Sequence, residues 1–223
     1  MNRDEWSAGT DSEIQFWKFW LGAKGAQWPD DYAYRIDPNT ELQYEIAEHI
    51  QGFHGDVLKL LDVGAGPMTI VAKRFRGAPI DLTAVDALAD RYDELDFPPG
   101  LPLVRTRMCD SERLSEKFGE NVFDVVYARN TLDHGYEPIK AIIEMVKVAK
   151  PGGTIITVHL PNEATVENWV GFHQWNFYVE GADFKIANRT KTFNVASAIA
   201  DLGRIVRLSP PDSPTVACVI EKL

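Results

Sequence analysis

The residues best suited to chemistry follow a short apolar segment near position 60. Leu60-Leu61-Asp62-Val63 leads directly into Gly64-Ala65-Gly66. Glycines placed after a buried strand let a ligand approach the backbone where a side chain would collide with it. A helix that starts after such a turn would also offer free N–H groups to a polar ligand. The pattern therefore predicts a ligand site at the carboxyl end of this strand.

Two acidic residues extend the predicted site. Asp86 ends the next long apolar segment, about twenty residues beyond the glycine turn, where a carboxylate can accept hydrogen bonds from both hydroxyls of a ribose. Asp110 follows a third apolar segment and can accept from the amino group of an adenine, or cap a helix predicted at 112–118. The two roles of Asp110 are compatible. The spacing indicates a ligand with a nucleoside part.

In their order these motifs resemble the class I S-adenosylmethionine-dependent methyltransferases, and more narrowly the type 11-like subset. The likeness runs from Val57 to Val158 and includes the element Asn130-Thr131-Leu132-Asp133-His134-Gly135-Tyr136-Glu137-Pro138. It implies that S-adenosylmethionine is the cofactor. It also implies that Asp62, Gly64 and Gly66 line the methionine part, that Asp86 holds the ribose, and that Asp110 and Ser111 hold the adenine. Cys109 departs from the family, in which many members have glycine there.

Two further residues are predicted to contact the cofactor. Asn130 opens the element that carries the resemblance. Arg35 lies in a segment that reads as irregular, and its guanidinium could pair with the methionyl carboxylate.

The elements that position these residues alternate between strand and helix, which predicts an α/β fold with a mostly parallel sheet. The predicted strands are Leu58–Val63, Ile80–Val85, Leu103–Arg107, Phe123–Ala128 and Thr154–His159, and helices are predicted at Thr69–Phe75, Ala89–Leu95, Glu112–Phe118 and Pro138–Ala149. The linker between Arg204–Leu208 and Thr215–Ile220 is too short for a crossover helix, so that pair must be antiparallel. The resemblance implies a Rossmann-like sheet of seven strands with helices on both faces and the last strand antiparallel.

The remaining segments are predicted to cover this sheet within a single domain spanning 1–223. Residues 1–55 form a helical N-terminal cap, with one helix at Asp11–Leu21 and a second opening at Asp37-Pro38. An insert at 160–191, after the fifth strand, contains a hairpin near Glu180–Asp183 and covers the substrate.

Three histidines compete for the role of general base. His134 follows the fourth strand, His159 ends the fifth, and His173 lies in the insert. Asp133 or Glu163 could orient whichever imidazole acts, by accepting from its second nitrogen. Four residues are predicted to contact the substrate: Tyr32, Glu163, Trp175 and Asn176.

The predicted reaction is methyl transfer to oxygen or nitrogen of a small polar acceptor, such as a sugar or a natural-product intermediate. One alternative is a protein that binds the cofactor without turnover. Another is a nicotinamide-dependent oxidoreductase, which is disfavoured because Thr69 replaces the third glycine of its fingerprint. No His-Glu-x-x-His motif or cysteine cluster is present, so no metal site is expected.

The composition of the chain indicates which partners and which cellular compartment to expect. The net charge of -10 disfavours nucleic acid as a partner, because phosphate backbones are bound by clustered Lys and Arg. Met1–Thr10 lacks an apolar signal core, and no apolar segment reaches the ~20 residues that a membrane crossing needs. Cys109 and Cys218 form no disulfide framework. We therefore expect a cytoplasmic protein with a small-molecule substrate and no membrane association; the oligomeric state is not indicated.

Overall fold

The computed structural model describes residue 6 and residues 10–100 and 104–223. Its strands are β1 (Lys59–Val63), β2 (Arg74–Phe75), β3 (Ala78–Pro79), β4 (Asp81–Asp86), β5 (Arg107–Met108), β6 (Phe123–Arg129), β7 (Ala149–His159), β8 (Asn176–Glu180), β9 (Asp183–Ala187), β10 (Thr192–Asn194), β11 (Gly203–Leu208) and β12 (Val216–Lys222). Its α-helices are α1 (Thr10–Gly22), α2 (Pro29–Ile36), α3 (Tyr44–Ala47), α4 (Leu114–Phe118), α5 (Pro138–Val148), α6 (Glu163–Val166) and α7 (Val195–Ala198). Short 3-10 turns lie at Ala89–Glu94, Ser111–Arg113 and Leu132–His134.

Seven strands form the central sheet, in the order β11-β12-β7-β6-β1-β4-β5. The pairs from β7 to β5 are parallel, whereas β12 runs antiparallel to both of its neighbours. The carboxyl ends of β1, β4 and β6 therefore lie side by side at one edge of the sheet. The predicted Rossmann-like fold and the predicted antiparallel final pair are confirmed.

Alternate residues of the central strands pack into two separate cores. In β1, Leu61 and Val63 join a cluster with Met145 of α5, while Leu60 joins Ile46 and Val71 on the opposite side. This alternation follows from the pleat of a strand, which turns successive side chains to opposite faces. Both faces of β1 are buried, so the ligand-binding turn that follows it starts from a rigid position.

The predicted helix at Thr69–Phe75 is wrong, because this segment pairs with the N-terminal region instead. The Leu42 N–H donates to the Arg74 carbonyl at 2.8 Å, and the Arg74 N–H donates to the Thr40 carbonyl at 3.1 Å. The Gln43 side chain also donates to the carbonyl of Ile70. These bonds occupy the backbone groups that a helix would use. Residues 69–75, all of them described, therefore do not supply the free helix N-terminus expected after the glycine turn.

In the N-terminal cap, the first predicted helix is present and the second lies elsewhere. The helix predicted at Asp11–Leu21 is confirmed as α1. Asp37 opens a turn instead of a helix, because its Oδ1 accepts from the Asn39 N–H at 2.8 Å. A helix instead forms earlier, at α2, where Pro29 occupies the first turn. Residues 1–5 and 7–9 of the predicted cap, and the start of the third predicted strand at Leu103, lie outside the described residues.

The predicted insert after β7 folds as a small antiparallel sheet. Strands β8 and β9 form the expected hairpin, with Glu180 opposite Asp183, and β10 adds a third strand beyond the predicted limit at Lys191. Phe177 and Phe184 are buried in the same core as α5. The insert is therefore attached to the body of the fold by its own hydrophobic surface. None of the helices in the described part of the chain combines the length and the apolar surface that a membrane crossing requires.

Candidate active site

The glycine turn after β1 is shaped by backbone contacts with β4. The N–H groups of Gly64 and Ala65 both donate to the Val85 carbonyl, at 2.8 and 3.0 Å. Gly64 has φ +69°, and an added Cβ would lie 1.9 Å from Oγ1 of Thr131. Gly66 has φ +64°, and its Cβ would lie 2.7 Å from the Trp17 ring. Glycine is required at both positions by the left-handed backbone and by the close approach of neighbouring groups.

Asp86 lies beside this turn at the end of β4. Its Oδ2 accepts from the Gly66 N–H at 3.0 Å, and its Oδ1 accepts from the Leu88 N–H at 2.8 Å. Burial raises the pKa of Asp86, although the two backbone bonds act in the opposite direction. These bonds fix the carboxylate at the wall of a cavity, where its remaining lone pairs can accept from a ligand.

That cavity, which we call the inner cavity, has a volume of about 110 Å³. It is lined by several predicted cofactor contacts, namely Gly64, Gly66, Asp86, Ser111 and Asn130. Asp110 is buried behind this wall, with the Tyr136 hydroxyl 3.3 Å from its Oδ2. The structure thus brings Asp86 and Ser111 to one cavity, whereas Asp110 is not part of its lining.

Trp6 and Phe172 close one side of the inner cavity. Their rings stack with centroids 5.4 Å apart, and the Trp6 Nε1–H donates to the His134 carbonyl at 2.8 Å. Both residues line the cavity. The N-terminal region and the insert therefore meet over the ligand site.

A larger space, which we call the outer cleft, has a volume of about 840 Å³ and opens from the inner cavity. The two spaces share lining residues, namely Glu13, Trp17, Gly64, Asn130 and His134. A ligand of the size of a nucleoside with an amino-acid tail can therefore extend from one into the other.

Asp62 and Arg35 both line the outer cleft. Asp62 is almost fully buried, and its Oδ2 accepts from the Thr69 hydroxyl at 2.5 Å. Burial raises the pKa of Asp62 to about 6. Arg35 pairs with Asp31 at 3.1 Å, and its guanidinium lies 5.5 Å from the centre of the Trp20 ring. A buried carboxylate and a fixed guanidinium suit the ammonium and carboxylate of an amino-acid ligand.

A cluster of Asp133, His134 and His173 lies on the opposite side of the outer cleft. Oδ2 of Asp133 is 3.0 Å from Nδ1 of His173 and 3.4 Å from Nε2 of His134. Both imidazoles line the cleft and have side chains 27% exposed, whereas Asp133 is buried. The cleft is also lined by Glu163, whose carboxyl pKa is raised by burial.

Electrostatic effects within this cluster favour charge on both partners. Burial alone would raise the pKa of Asp133, but the charge of His134 and the hydrogen bond from His173 outweigh it and lower the pKa. The same hydrogen bond raises the pKa of His173, against the effect of its own partial burial. Asp133 thus orients His173 and stabilises its protonated form.

His159 does not reach the cleft, contrary to its predicted role as a base. Its side chain is 1% exposed and stacks on Phe177 with ring centroids 4.2 Å apart. Burial lowers the pKa of His159 to about 4, so its imidazole is neutral near pH 7. The hairpin of the insert covers the end of β7, and this keeps His159 away from solvent and ligand.

Three of the four predicted substrate contacts serve the packing of the fold instead. Tyr32 is buried against Trp20, with ring centroids 5.6 Å apart. Trp175 is buried and its Nε1–H donates to the Gly135 carbonyl at 3.1 Å. Asn176 holds α6 through two hydrogen bonds with Thr165. Only Glu163 lines the cleft as predicted.

The sequence analysis missed several residues of the site. Glu13 and Trp17 line both spaces from α1, and Thr131, Glu112 and Tyr136 line the inner cavity. Burial raises the pKa of Glu13. Glu13 is one of two acidic residues in the first turn of α1, and nothing in its sequence context indicates that it borders a ligand site.

Comparison with known proteins identifies the class of this fold. Residues 61–157 match the family model of a methyltransferase domain. A protein of Schizosaccharomyces pombe described as an uncharacterized methyltransferase is 32% identical over 106 residues, which are 44% of this chain and 38% of that protein. Residues 61–157 of this chain are therefore similar to a methyltransferase domain. The aligned part spans well under half of the curated relative, so this comparison concerns the domain.

Solved structures share the fold of this methyltransferase domain. One is the Burkholderia thailandensis 1,6-didemethyltoxoflavin-N1-methyltransferase with its substrate and S-adenosylhomocysteine bound, at 18% identity and TM-score 0.50, covering 100% of this chain and 91% of that one. Another is the CurJ carbon methyltransferase, at 13% identity and TM-score 0.52, covering 79% of this chain and 51% of that one. At these identities the likeness concerns the fold alone.

The residues of the methyltransferase domain fit S-adenosylmethionine as its cofactor. A Cβ at Gly66 would lie 2.7 Å from the Trp17 ring, so only glycine fits between this turn and the tryptophan that borders both spaces. Asp62 is a buried carboxylate whose pKa is raised by burial, although the charges of Arg35 and Lys73 act in the opposite direction; the ammonium group of the cofactor would add a further positive charge beside it. Asp86 at the inner cavity fits the ribose hydroxyls.

Proposed function

We propose that this protein transfers the methyl group of S-adenosylmethionine to oxygen or nitrogen of a small polar acceptor bound in the outer cleft. The observation that carries the proposal is the position of His134 and His173. Both imidazoles line the outer cleft and lie against Asp133, and His134 also borders the inner cavity. Groups able to handle a proton therefore lie beside the predicted cofactor site.

The cofactor contacts that we propose divide along the two spaces. Asp86, Asp110 and Ser111 would hold the nucleoside part at the inner cavity. Asp62, Arg35 and the backbone around Gly64 and Gly66 would hold the amino-acid part, with Asn130 between the two. When bound, S-adenosylmethionine supplies a methyl group on a positively charged sulfur.

The lining of the outer cleft favours a hydroxylated or amine-bearing acceptor, such as a sugar or a natural-product intermediate. The rings of Trp17 and Trp28 and the charged side chains of Glu163 and Arg129 line it together. Rings of this kind pack on the flat faces of sugars and heterocycles, and the charged groups form hydrogen bonds with polar substituents. A long apolar chain would leave these charged groups without partners.

Removal of the acceptor's proton is the task that we assign to the histidine cluster. The acceptor oxygen or nitrogen must lie in line with the methyl group, and its proton must leave during or after the transfer. His134 and His173 face the cleft from adjoining elements, and Asp133 fixes the orientation of His173.

The proposed setting is the cytoplasm, with no nucleic-acid partner. Both cysteines are buried and free, which supports a reducing compartment. The net charge of -10 supports a small molecule over a phosphate backbone as the acceptor.

The proposal is tested by methyl transfer from radiolabelled S-adenosylmethionine to pools of sugars, amino sugars and hydroxylated aromatic metabolites. With an acceptor identified, His134→Gln and His173→Gln should each lower turnover at saturating acceptor by ~10²–10⁴. His54→Gln is the matched control, because His54 is exposed beside the start of β7, away from the cleft. Cofactor affinity is measured separately by calorimetry.

Other outcomes select other functions. Tight binding of S-adenosylmethionine with no transfer to any pool would favour a binding protein without turnover. A loss of turnover under tenfold in both variants, with cofactor binding intact, would reject the histidines as the groups that handle the proton.

A further inference from the structure

The Asp133, His134 and His173 cluster contains more than one hydrogen-bonded pair. One nitrogen of each imidazole and one oxygen of Asp133 lie within 4.8 Å of one another. Two imidazoles and one carboxylate are a donor set used by divalent transition metals in proteins. The set borders a cleft, so positions on such an ion would remain open to a ligand.

The distances within the cluster match those between ligands of a common ion. Imidazole nitrogens and carboxylate oxygens bind Zn²⁺ at about 2.0–2.2 Å, so two ligands at tetrahedral or right angles are separated by about 2.9–3.5 Å. Oδ2 of Asp133 lies 3.0 Å from Nδ1 of His173 and 3.4 Å from Nε2 of His134. Both distances fall within this range, and the third distance, between the two imidazole nitrogens, is within 4.8 Å.

A second observation points to a missing partner at Asp133. Its side chain is 2% exposed, and its Oδ1 has no hydrogen-bond partner among the residues that the structure describes. A buried carboxylate oxygen without a partner is costly, and most such atoms are satisfied by protein, water or an ion. The two imidazoles approach only its Oδ2, so an ion held by the cluster would also give Oδ1 a partner if Asp133 bound it through both oxygens.

We infer that Asp133, His134 and His173 form a binding site for one divalent transition-metal ion at the wall of the outer cleft. The mixed nitrogen and oxygen donors favour ions such as Zn²⁺, Co²⁺, Mn²⁺ or Fe²⁺ over Mg²⁺ and Ca²⁺, which prefer oxygen alone. Glu163 lines the same cleft and is close enough to interact electrostatically with all three residues, so it is a further carboxylate that the ion can recruit.

For the reaction, this inference rests on the proposed function and narrows the acceptor class. An ion at this position would bind an acceptor through two neighbouring oxygen or nitrogen atoms and fix its orientation. It would also lower the pKa of a hydroxyl that it contacts, so that the proton leaves to water or to Glu163. With the ion bound, His134 and His173 would serve removal of the acceptor's proton by holding the ion; without it, the imidazoles themselves would accept the proton.

Metal binding is tested on untagged, full-length protein without cofactor or acceptor. Zn²⁺ is titrated by calorimetry, and Co²⁺ by its visible absorption. We expect one ion per chain and an affinity lowered at least about tenfold in His134→Ala, in His173→Ala and in the isosteric variant Asp133→Asn. His54→Ala is the matched control and should bind as the wild type does.

The folding of each variant is checked by its unfolding midpoint without added metal. Failure of the wild type to bind either ion at one site overturns the inference. Binding that survives unchanged in both His134→Ala and His173→Ala overturns it as well, because the ion then lies elsewhere. Since the titration contains neither cofactor nor acceptor, metal binding and methyl transfer succeed or fail separately.

Discussion

Replacing Asp62 by asparagine should make the protein more stable near neutral pH while weakening the binding of its cofactor. Burial raises the pKa of Asp62 from its ordinary value of 3.8 to about 6. A difference of about two pKa units corresponds to about 3 kcal/mol, which is the cost of holding the ionised carboxylate in the folded, ligand-free protein. The folded state retains the proton between these pH values, whereas the unfolded state releases it. Stability therefore falls as pH rises from about 4 to 6 and is constant above that range.

The asparagine side chain in Asp62→Asn would carry no charge and would keep an acceptor for the Thr69 hydroxyl. Urea unfolding of the wild type and of this variant, at a series of pH values from 4 to 8, measures the difference directly. We expect the variant to gain up to about 3 kcal/mol relative to the wild type across this interval, and calorimetry should show weaker binding of S-adenosylmethionine. A difference in stability that does not change with pH would refute the assignment of Asp62 as a carboxylate destabilised by its burial.

Two further substitutions test the cofactor site. Gly64→Ala places a Cβ in a left-handed backbone only 1.9 Å from Oγ1 of Thr131, whereas the matched Gly77→Ala has φ +76° and open space around its Cβ. Urea unfolding should therefore show that Gly77→Ala lowers the free energy of unfolding by about 1–2 kcal/mol and that Gly64→Ala lowers it clearly more. Equal losses would contradict the close approach at Gly64. Asp86→Asn should weaken S-adenosylmethionine binding by ~1–3 kcal/mol in calorimetry, because the ribose loses a charged acceptor; unchanged affinity in a folded variant would remove Asp86 from the site.

The sheet could be predicted from the sequence because each central strand is marked by local residues. Buried strands such as β1 and β6 are short apolar segments bounded by turn residues, and this signal does not depend on the rest of the chain. The helix predicted at Thr69–Phe75 failed because its backbone partners, at Thr40 and Leu42, come from a distant part of the chain. Pairing of that kind leaves no periodic pattern.

The part of the site that lies at strand ends was predictable for the same reason. Gly64, Gly66 and Asp86 follow strand ends, so their meeting at one edge of the sheet follows from the topology. Asp133 and His173 are 40 positions apart, and their contact depends on how the insert folds back over β7. Trp175 was misassigned for the related reason that an aromatic residue in a polar loop can equally well fill the core beneath it.

The stack of Trp6 on Phe172 bears on the rate at which a ligand can leave the inner cavity as well as on the shape of that cavity. These rings belong to distant parts of the chain, and the Trp6 indole is also bonded to the His134 carbonyl. The two stacked rings form part of the wall of the inner cavity, so they would border a nucleoside held there. If the molecule leaves by that side, its residence time depends on how often the two rings separate, and the hydrogen bonds of the cavity alone do not determine it. The demethylated cofactor would then leave at the rate at which the rings open, and turnover would be limited by residues that take no part in methyl transfer.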